Sequence, residues 1–233
     1  MEAYRHELKY FISYLEYRSI LSRFQHILTR DIHVNEGGDY SIRSLYFDDC
    51  YNSAYFEKYA SILKRKKYRI RLYDFNDDVI HLERKSKYDT YIKKESTAIT
   101  KAQALDCSRN DFNSFFHSDH YLCKNFYHES VANLLRPRVI IDYEREPFIC
   151  EAGNVRVTFD KNLRVCVDEF DLFSEDLAFQ NVMGNHEIIM EVKFTEFLPE
   201  YIRDLLLSTN AAFTSFSKYI LCCDHTKYKQ HFG

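Results

Sequence analysis

The sequence has no tryptophan, and it contains only 5 glycines and 3 prolines in 233 residues. So few turn-forming residues exclude a long flexible linker or a low-complexity segment. No apolar run reaches the roughly 18–20 residues that a membrane-spanning helix needs, and the first residues carry charge instead of the apolar core of a signal peptide. We therefore expect an ordered, soluble, cytoplasmic protein of one large domain or two small ones.

Several motifs of enzymes and metal sites are also absent. The chain has no GxxxxGK[ST] loop, no GxGxxG and no HExxH, which argues against a P-loop nucleotidase, a dinucleotide-binding fold and a zinc protease. Its 7 cysteines show no CxxC or CxxxC spacing, so buried thiols of a reducing compartment are expected instead of a zinc knuckle. A net charge of −3 and a pI of about 6.4 make nucleic acid an unfavoured partner.

Alternating polar and apolar residues instead predict many β-strands, and the clearest two form a hairpin over residues 67–87. The segment 76–78 (Asn-Asp-Asp) favours a turn. A turn centred on Asp77 gives the cross-strand pairs Leu72–Leu82, Arg71–Glu83, Arg69–Lys85 and Lys67–Lys87.

One face of this hairpin would carry aliphatic residues, and the other would carry Glu83 among the cations Lys67, Arg69, Arg71, Lys85 and Lys87. Like charges directly opposite each other destabilise a strand pair. The face is therefore either solvated, which is the ordinary explanation, or the binding surface of an anion with several charges. A single hairpin leaves both interpretations open, but similar charged faces recur along the chain.

The rest of the chain alternates strands and helices. Further strands are predicted over residues 4–12, 40–48, 90–98, 138–149, 155–167 and 187–194, with a second hairpin turn at residues 152–154. Helices are predicted over residues 14–30 after an N-cap at Ser13, over 52–61, within 101–135 up to Pro137, from Pro199 to about 209, and from Ser215 or Ser217 to about 228.

This pattern predicts an α+β fold in which about eight antiparallel strands form a closed β-barrel, since closure removes exposed sheet edges. With the charged faces inside and the helices packed outside, the barrel would enclose a polar, basic tunnel; with the apolar faces inside, it would be an ordinary small barrel. The residues alone leave both arrangements open. A basic tunnel suits a chain of phosphates, and a carboxylate among the cations suits Mg²⁺ or Mn²⁺.

A series of short motifs follows the chain: Arg5-x-Glu7-x-Lys9-Tyr10, Ser44-Leu45-Tyr46-Phe47-Asp48, Arg69-Ile70-Arg71, Leu82-Glu83-Arg84-Lys85, Tyr143-x-Arg145, residues 155–160 (VRVTFD), Met190-Glu191-Val192-Lys193-Phe194 and Phe216-Ser217-Lys218-Tyr219. In this order they resemble the VTC domain. That is the polyphosphate polymerase domain of vacuolar transporter chaperone complexes, within the CYTH-like superfamily of triphosphate tunnel metalloenzymes. The resemblance spans essentially the whole chain and implies a single domain over residues 1–233.

The resemblance implies a metal-dependent enzyme that transfers the terminal phosphoryl group of ATP to polyphosphate, with Mn²⁺ or Mg²⁺ as cofactor. It implies catalytic roles for Lys85, Arg69, Arg71 and Glu191. It implies phosphate contacts for Lys9, Arg69, Arg71, Lys85, Lys87, Tyr143, Arg145, Arg156, Lys193, Ser217 and Lys218. The metal ligands would be Glu191 and Glu7, with Glu83 as the weaker candidate.

Two positions depart from the family pattern. Arg5 stands where the wider superfamily has the first glutamate of ExExK, which argues against a second metal ion. Ser215 stands where some polymerases have a lysine, which argues against full polymerase activity. The alternatives are therefore hydrolysis of a triphosphate, of polyphosphate or of a nucleoside triphosphate, and a non-catalytic polyphosphate-binding module. The sequence defines neither a membrane partner nor the oligomeric state.

Overall fold

The computed structural model describes residues 6–31, 34, 37–89, 91–184, 186–195, 197–207, 214 and 216–230. The strands are β1 (His6–Ser13), β2 (Thr29–Arg30), β3 (Tyr40–Asp48), β4 (Lys64–Tyr73), β5 (Asn76–Tyr88), β6 (Tyr91–Ile99), β7 (Arg136–Cys150), β8 (Val155–Cys166), β9 (Gln180–Asn181) and β10 (Glu187–Phe194). The helices are α1 (Tyr14–Phe24), α2 (Ser53–Tyr59), α3 (Lys101–Ser108), α4 (Tyr121–Ala132), α5 (Glu200–Leu207) and α6 (Lys218–Gln230). Within these ranges, none of the helices has the length and apolarity to cross a bilayer.

The strands form a mostly antiparallel sheet in the order β1-β10-β8-β7-β3-β4-β5-β6, with β2 beside β7 and β9 beside β8. The predicted α+β class and the eight main strands are confirmed. The sequence predicts closure by strand pairing, whereas the order found among the described residues is a path that ends at β1 and β6. On β1, the backbone N–H of Thr214 donates to the Lys9 carbonyl at 2.9 Å, and Phe216 stacks on Phe11.

The hairpin of β4 and β5 turns at Asp74 and Phe75, just before the segment predicted to turn. Both residues have positive φ, 49° and 56°, as the two-residue type I′ turn requires. A phenylalanine is rare in this conformation, so a turn at this position was not predicted. The observed cross-strand pairs are Arg71–His81, Arg69–Glu83, Lys67–Lys85 and Arg65–Lys87. The partners differ from the predicted ones by two residues, so every side chain keeps its predicted face.

Helix positions were predicted less well than strand positions. Ser13 caps α1 as predicted, since its hydroxyl and backbone N–H form a capping box with Glu16, but α1 ends at Phe24 instead of near residue 30. The predicted helical stretch 101–135 is two helices separated by a 3₁₀ turn at residues 113–115. Asn110, with a φ of 64°, ends the first of them, and Pro137 lies inside β7 instead of before it.

The described chain divides into two compact units, and the predicted single domain stays a prediction. The first unit consists of Met1–Ser41, Tyr143–Leu163 and Met183–Ser217. In its core, α1 and α5 pack on the apolar faces of β1, β8 and β10, which contribute residues such as Val157, Phe159, Met190 and Val192. Because side chains alternate along a strand, the residues between these lie on the face opposite the core.

The second unit consists of Ile42–Asp142, Arg164–Val182 and Lys218–Gly233. Leu45, Ile70 and Leu82 of neighbouring strands pack there against α3 and α4, with Phe126 of α4 fully buried. In each unit, therefore, these helices cover the apolar strand faces and the charged residues lie on the opposite face. Of the two predicted arrangements, this agrees with the one in which helices and charged residues lie on opposite faces of the strands.

Candidate functional site

In the first unit, three rows of side chains cross β1, β10 and β8 on the face opposite the core. The strand register defines the rows as Glu7–Lys193–Arg156, Lys9–Glu191–Thr158 and Phe11–Ile189–Asp160. We call them the first-unit rows. Most of the predicted site residues that belong to the first unit lie in these rows.

The cations of the first-unit rows contact carboxylates. Lys9 Nζ lies 2.9 Å from Glu7 Oε1, and Lys193 Nζ lies 2.5 Å from Glu191 Oε1. Arg156 reaches Asp31 Oδ2 at 2.9 Å. Glu191 is only 4% exposed, which rules out a solvated strand face for this part of the sheet.

Arg145 of β7 is held in place by Asp160. Its Nε and Nη2 donate to the two carboxylate oxygens at 2.7 and 2.9 Å, and its guanidinium lies 5.3 Å from the centre of the Tyr143 ring. Burial by itself lowers the pKa of Arg145, but the charges of Asp160 and Tyr143 outweigh burial and hold the pKa above its ordinary value. This guanidinium is therefore a fixed, permanent positive charge.

Lys193 is a weaker base than an exposed lysine. Burial lowers its pKa, although the neighbouring carboxylates of Glu191 and Glu7 favour the charged form. Its ammonium contacts Glu191, two residues along β10, and Glu7 lies directly across the strand pair.

The donor set suits a hard cation that shares its ligands with a substrate. Among the described residues, histidine, cysteine, aspartate and glutamate form no group of three or more arranged to hold a metal ion. Glu7 and Glu191 provide two carboxylates on neighbouring strands. Mg²⁺ and Mn²⁺ are commonly held by one or two carboxylates, with phosphate oxygens and water completing the shell, so these two residues fit such an ion.

In the second unit, three further rows cross β4, β5 and β6. They are Arg65–Lys87–Ile92, Lys67–Lys85–Lys94 and Arg69–Glu83–Ser96, and we call them the second-unit rows. Tyr46 of β3 extends the third row beside Arg69. Like charges lie opposite each other as predicted, but in other pairs: Lys67 with Lys85 and Arg65 with Lys87, instead of Arg69 with Lys85 and Lys67 with Lys87.

Arg69 is oriented by two partners. Its Nε and Nη2 contact Glu83 Oε2 at 2.7 and 2.6 Å, and its Nη1 donates to the Tyr46 hydroxyl at 2.8 Å. Lys94 Nζ contacts the other Glu83 oxygen at 2.5 Å. Burial raises the pKa of Glu83, but Arg69, Arg71 and Lys94 outweigh burial and hold it well below its usual range. Glu83 thus contacts two cations, Arg69 and Lys94. This arrangement favours a role in positioning Arg69 over a role as a metal ligand.

Arg71 lies one step further along the same face. It is 4% exposed and donates from Nε to the Ser44 hydroxyl at 3.0 Å. Burial raises the pKa of Tyr46, but the charges of Arg69 and Arg71 outweigh burial and lower it. The positive charges on this face therefore act strongly on their neighbours.

The predicted site residues fall into both units. Glu7, Lys9, Tyr143, Arg145, Arg156, Glu191, Lys193 and Ser217 belong to the first unit, and Arg69, Arg71, Glu83, Lys85, Lys87 and Lys218 belong to the second. Lys218 is the first residue of α6, and Ser217 directly precedes it. Arg5 and Ser215 lie outside the described residues. The roles assigned to all of these residues stay predictions.

Sequence reasoning missed several partners of these charged residues. The contacts that were not predicted are Tyr46 with Arg69, Lys94 with Glu83, Asp31 with Arg156 and Asp160 with Arg145. The alternation of Ser44 and Tyr46 in β3 is a signal for their face. Their alignment with Arg71 and Arg69, however, depends on the strand register, which sequence alone does not give.

Two solved structures share this fold at low sequence identity. A candidate adenylyl cyclase from Hippeastrum, described as having a dominant triphosphatase activity, matches with a TM-score of 0.56 and 13% identity over 91% of this chain and 92% of its own. A candidate adenylate cyclase from Bacillus halodurans matches with a TM-score of 0.52 and 12% identity over 88% of this chain and 87% of its own. Together with the antiparallel sheet and the packed helices, these likenesses confirm the predicted fold class.

Comparison with curated proteins gives no match. The family model of the VTC domain, in contrast, matches residues 4–226. That match covers nearly the whole chain and includes both charged faces. The chain therefore belongs to the VTC domain family.

Proposed function

We propose that this protein transfers the terminal phosphoryl group of ATP to the end of a polyphosphate chain. ATP and a chain of n phosphates would give ADP and a chain of n + 1. Membership of the VTC domain family supports phosphoryl chemistry on a triphosphate with a divalent metal ion. The choice of polyphosphate as the acceptor is the proposal.

The observation that carries the proposal is the surplus of positive charge on the second-unit rows. Those rows place Lys67, Lys85 and Lys94 side by side across three strands. Like charges on directly opposite residues of neighbouring strands destabilise the strand pair. A ligand with many negative charges removes this repulsion, and a phosphate chain is such a ligand.

The arginines are well prepared to bind that ligand. Glu83 and Tyr46 fix the guanidinium of Arg69, and Asp160 fixes that of Arg145. A side chain that is already ordered loses less conformational freedom when it binds. Phosphoryl transfer depends mainly on alignment of the phosphates and neutralisation of their charge, and these fixed guanidinium groups would provide both.

Glu191 and Glu7 would hold the metal ion in the first unit. When bound, the ion would neutralise charge that develops on the phosphate oxygens. Lys193 would move from Glu191 to a phosphate, and its lowered pKa would rise again beside that anion. These steps need the buried carboxylate of Glu191.

The test is to incubate the protein with ATP and either Mn²⁺ or Mg²⁺ and to separate the products by size. ADP together with long phosphate chains supports the proposal, and addition of a chelator should stop their formation. Free phosphate without chains would establish hydrolysis instead. Tight binding of polyphosphate with neither product would establish a binding module and refute the proposal.

Hydrolysis is the second candidate function, and one residue favours it. Ser215 replaces a lysine that some polymerases have two positions before the serine of Phe216-Ser217-Lys218-Tyr219. Loss of that cation would weaken the hold on a phosphate acceptor and leave water to attack. Substitution of Ser215 by lysine should then raise the ratio of chains to free phosphate, and an unchanged ratio would remove Ser215 from consideration.

A further inference from the structure

We propose that Lys67, which none of the family motifs includes, is an additional phosphate-binding residue and takes up a proton when the phosphate binds. This inference rests on the proposed function, in that a phosphate chain lies on the face of the second-unit rows. It adds a residue to that site. It also predicts that phosphate binding depends on pH near neutrality. The supporting observations are the position of Lys67, its aromatic contact and the charges around it.

Lys67 shares a face with Arg69 and Arg71, because the three residues alternate along β4. Lys85 of β5 lies directly opposite Lys67, and Lys94 of β6 follows in the same row. A phosphate bound by Arg69 and Lys85 would therefore lie within one residue step of Lys67. The row offers three amines to the same anion.

The ammonium of Lys67 lies over an aromatic ring that the rest of the unit holds in place. Its Nζ is 4.6 Å from the centre of the Tyr219 ring, and the Tyr219 hydroxyl donates to Asp48 at 2.5 Å. Tyr219 stacks on Tyr46 with centroids 5.3 Å apart, and Arg69 lies on Tyr46 with its Cζ 5.7 Å from the centroid. Two stacked rings thus connect Lys67 and Arg69.

Charges from every neighbouring element act on Lys67. Burial lowers its pKa to about 7, with Arg65 and Lys58 adding to the effect, whereas Cys223 and Asp48 favour the charged form. Lys85 and Lys94 are further cations in its row. The groups near Lys67 include Lys58 of α2, Asp48 of β3, Arg65 and Arg69 of β4, Lys85 of β5, and Tyr219 and Cys223 of α6.

A bound phosphate reverses this balance. It adds negative charge beside an amine whose neighbours are mostly cations, so the protonated form becomes the favoured one. The amine then takes a proton from the buffer, and the new ammonium binds the phosphate oxygens. Above pH 7, binding at this position should therefore consume a proton, whereas below pH 7 the proton is already present.

The experiment is calorimetric titration with sodium tripolyphosphate in pairs of buffers that differ in ionisation enthalpy, at pH 6 and pH 8. The variants are Lys67→Met, which removes the charge, and Lys67→Arg, which keeps it at every pH. Lys66→Met is the matched control, because Lys66 is the next residue of β4, lies on the opposite face and contacts Glu129. Thermal unfolding of each variant verifies that it is folded.

The wild-type protein should take up more protons than Lys67→Met by about 0.9 per ligand at pH 8 and about 0.1 at pH 6, as a group with a pKa near 7 requires. Because proton uptake determines how affinity changes with pH, the loss of affinity in Lys67→Met should be about tenfold larger at pH 6 than at pH 8. Lys67→Arg should bind well at both pH values without the extra uptake. Lys66→Met should match the wild type.

Two negative results would have different meanings. Tripolyphosphate binding with equal proton uptake and equal affinity in the wild type and Lys67→Met would overturn the role of Lys67 and leave the proposed function intact. Absence of tripolyphosphate binding by the wild type would overturn both. Loss of binding in Lys66→Met as large as in Lys67→Met would also overturn the inference, because the effect would then not depend on the face.

Discussion

The two units carry charged strand faces of similar construction but different net charge. The first-unit rows contain three cations, Lys9, Arg156 and Lys193, and three carboxylates, Glu7, Asp160 and Glu191. The second-unit rows contain the carboxylate Glu83 and six cations: Arg65, Lys67, Arg69, Lys85, Lys87 and Lys94. In both units the core helices lie on the other side of the strands.

This difference suggests a division of work. A balanced face is stable without a ligand and has carboxylates to offer a metal ion. An unbalanced face stores repulsion that an anion relieves, so it should contribute more to affinity for phosphate. We therefore expect substitutions in the first-unit rows to affect turnover most and substitutions in the second-unit rows to affect binding most.

The largest effect is expected from Glu191→Gln in the first unit. Loss of the buried metal-binding charge should lower turnover of ATP by at least about 100-fold, while the dissociation constant of tripolyphosphate changes by less than about threefold. Product formation and calorimetry measure the two quantities. Glu144→Gln is the control, because Glu144 lies next to Arg145 on the other face and only accepts a hydrogen bond from Asn162. Unchanged turnover would remove Glu191 from the metal role.

The next effect is on binding and contrasts the two units directly. Arg69→Ala should weaken tripolyphosphate binding by about 10- to 100-fold, since a charged hydrogen-bond partner is lost. Arg156→Ala should weaken it by only about threefold, because Arg156 is half exposed and already paired with Asp31. Calorimetry at low and high salt measures both.

A complication of Arg69→Ala is that it leaves Glu83 without its main partner. The double variant Arg69→Ala, Glu83→Gln separates this repulsive contribution from the lost contact. Equal losses in Arg69→Ala and Arg156→Ala would contradict the division of work between the units.

Glu83→Gln tests whether the carboxylate of the second-unit rows contributes to the free energy of unfolding. The pKa of Glu83 is lowered in the folded state, so its ion pairs stabilise the protein above about pH 4.5, the ordinary pKa of a glutamate. This contribution is lost progressively as the pH falls below that value. Urea denaturation should show the variant less stable by about 1–3 kcal/mol at pH 6, with a smaller difference at pH 3.5. A difference that is constant with pH would mean that Glu83 acts by packing alone.

Much of the strand architecture could be predicted because alternation is a local signal. The predicted strands 40–48 and 187–194 match β3 and β10, and the charged and apolar faces of the hairpin were assigned correctly. Its register was not, because the turn at Asp74 and Phe75 requires positive φ at a phenylalanine. The helical period of residues 101–135 continues across the break at Asn110, so the two helices were predicted as one stretch.

The candidate site was predicted as a set of residues but not as a set of contacts. The cations of both faces lie on strands whose alternation is visible in the sequence. The partners that orient them are distant in the chain: Asp160 for Arg145, and Tyr46 and Glu83 for Arg69. Such pairs follow from strand register and packing, which no local pattern encodes.

The smallest expected effect concerns Lys67, and it sharpens the comparison because it measures how much burial and the neighbouring cations destabilise the charged amine without a ligand. The folded pKa of Lys67 is about 7, below the 10.5 of an ordinary lysine, so between these values the unfolded chain binds more protons than the folded one. Stability of the wild type should therefore rise from pH 7 towards pH 10.5. Lys67→Met should lack this part of the rise. It should unfold about 2–4 °C higher than the wild type at pH 7, since removal of a partly exposed, unfavourably placed charge changes the free energy of unfolding by roughly 1 kcal/mol. Scanning calorimetry at pH 7 and pH 9.5 measures the difference, which should shrink at the higher pH. A wild type more stable than Lys67→Met at pH 7 would mean that the ring of Tyr219 and the carboxylate of Asp48 outweigh burial and the neighbouring cations.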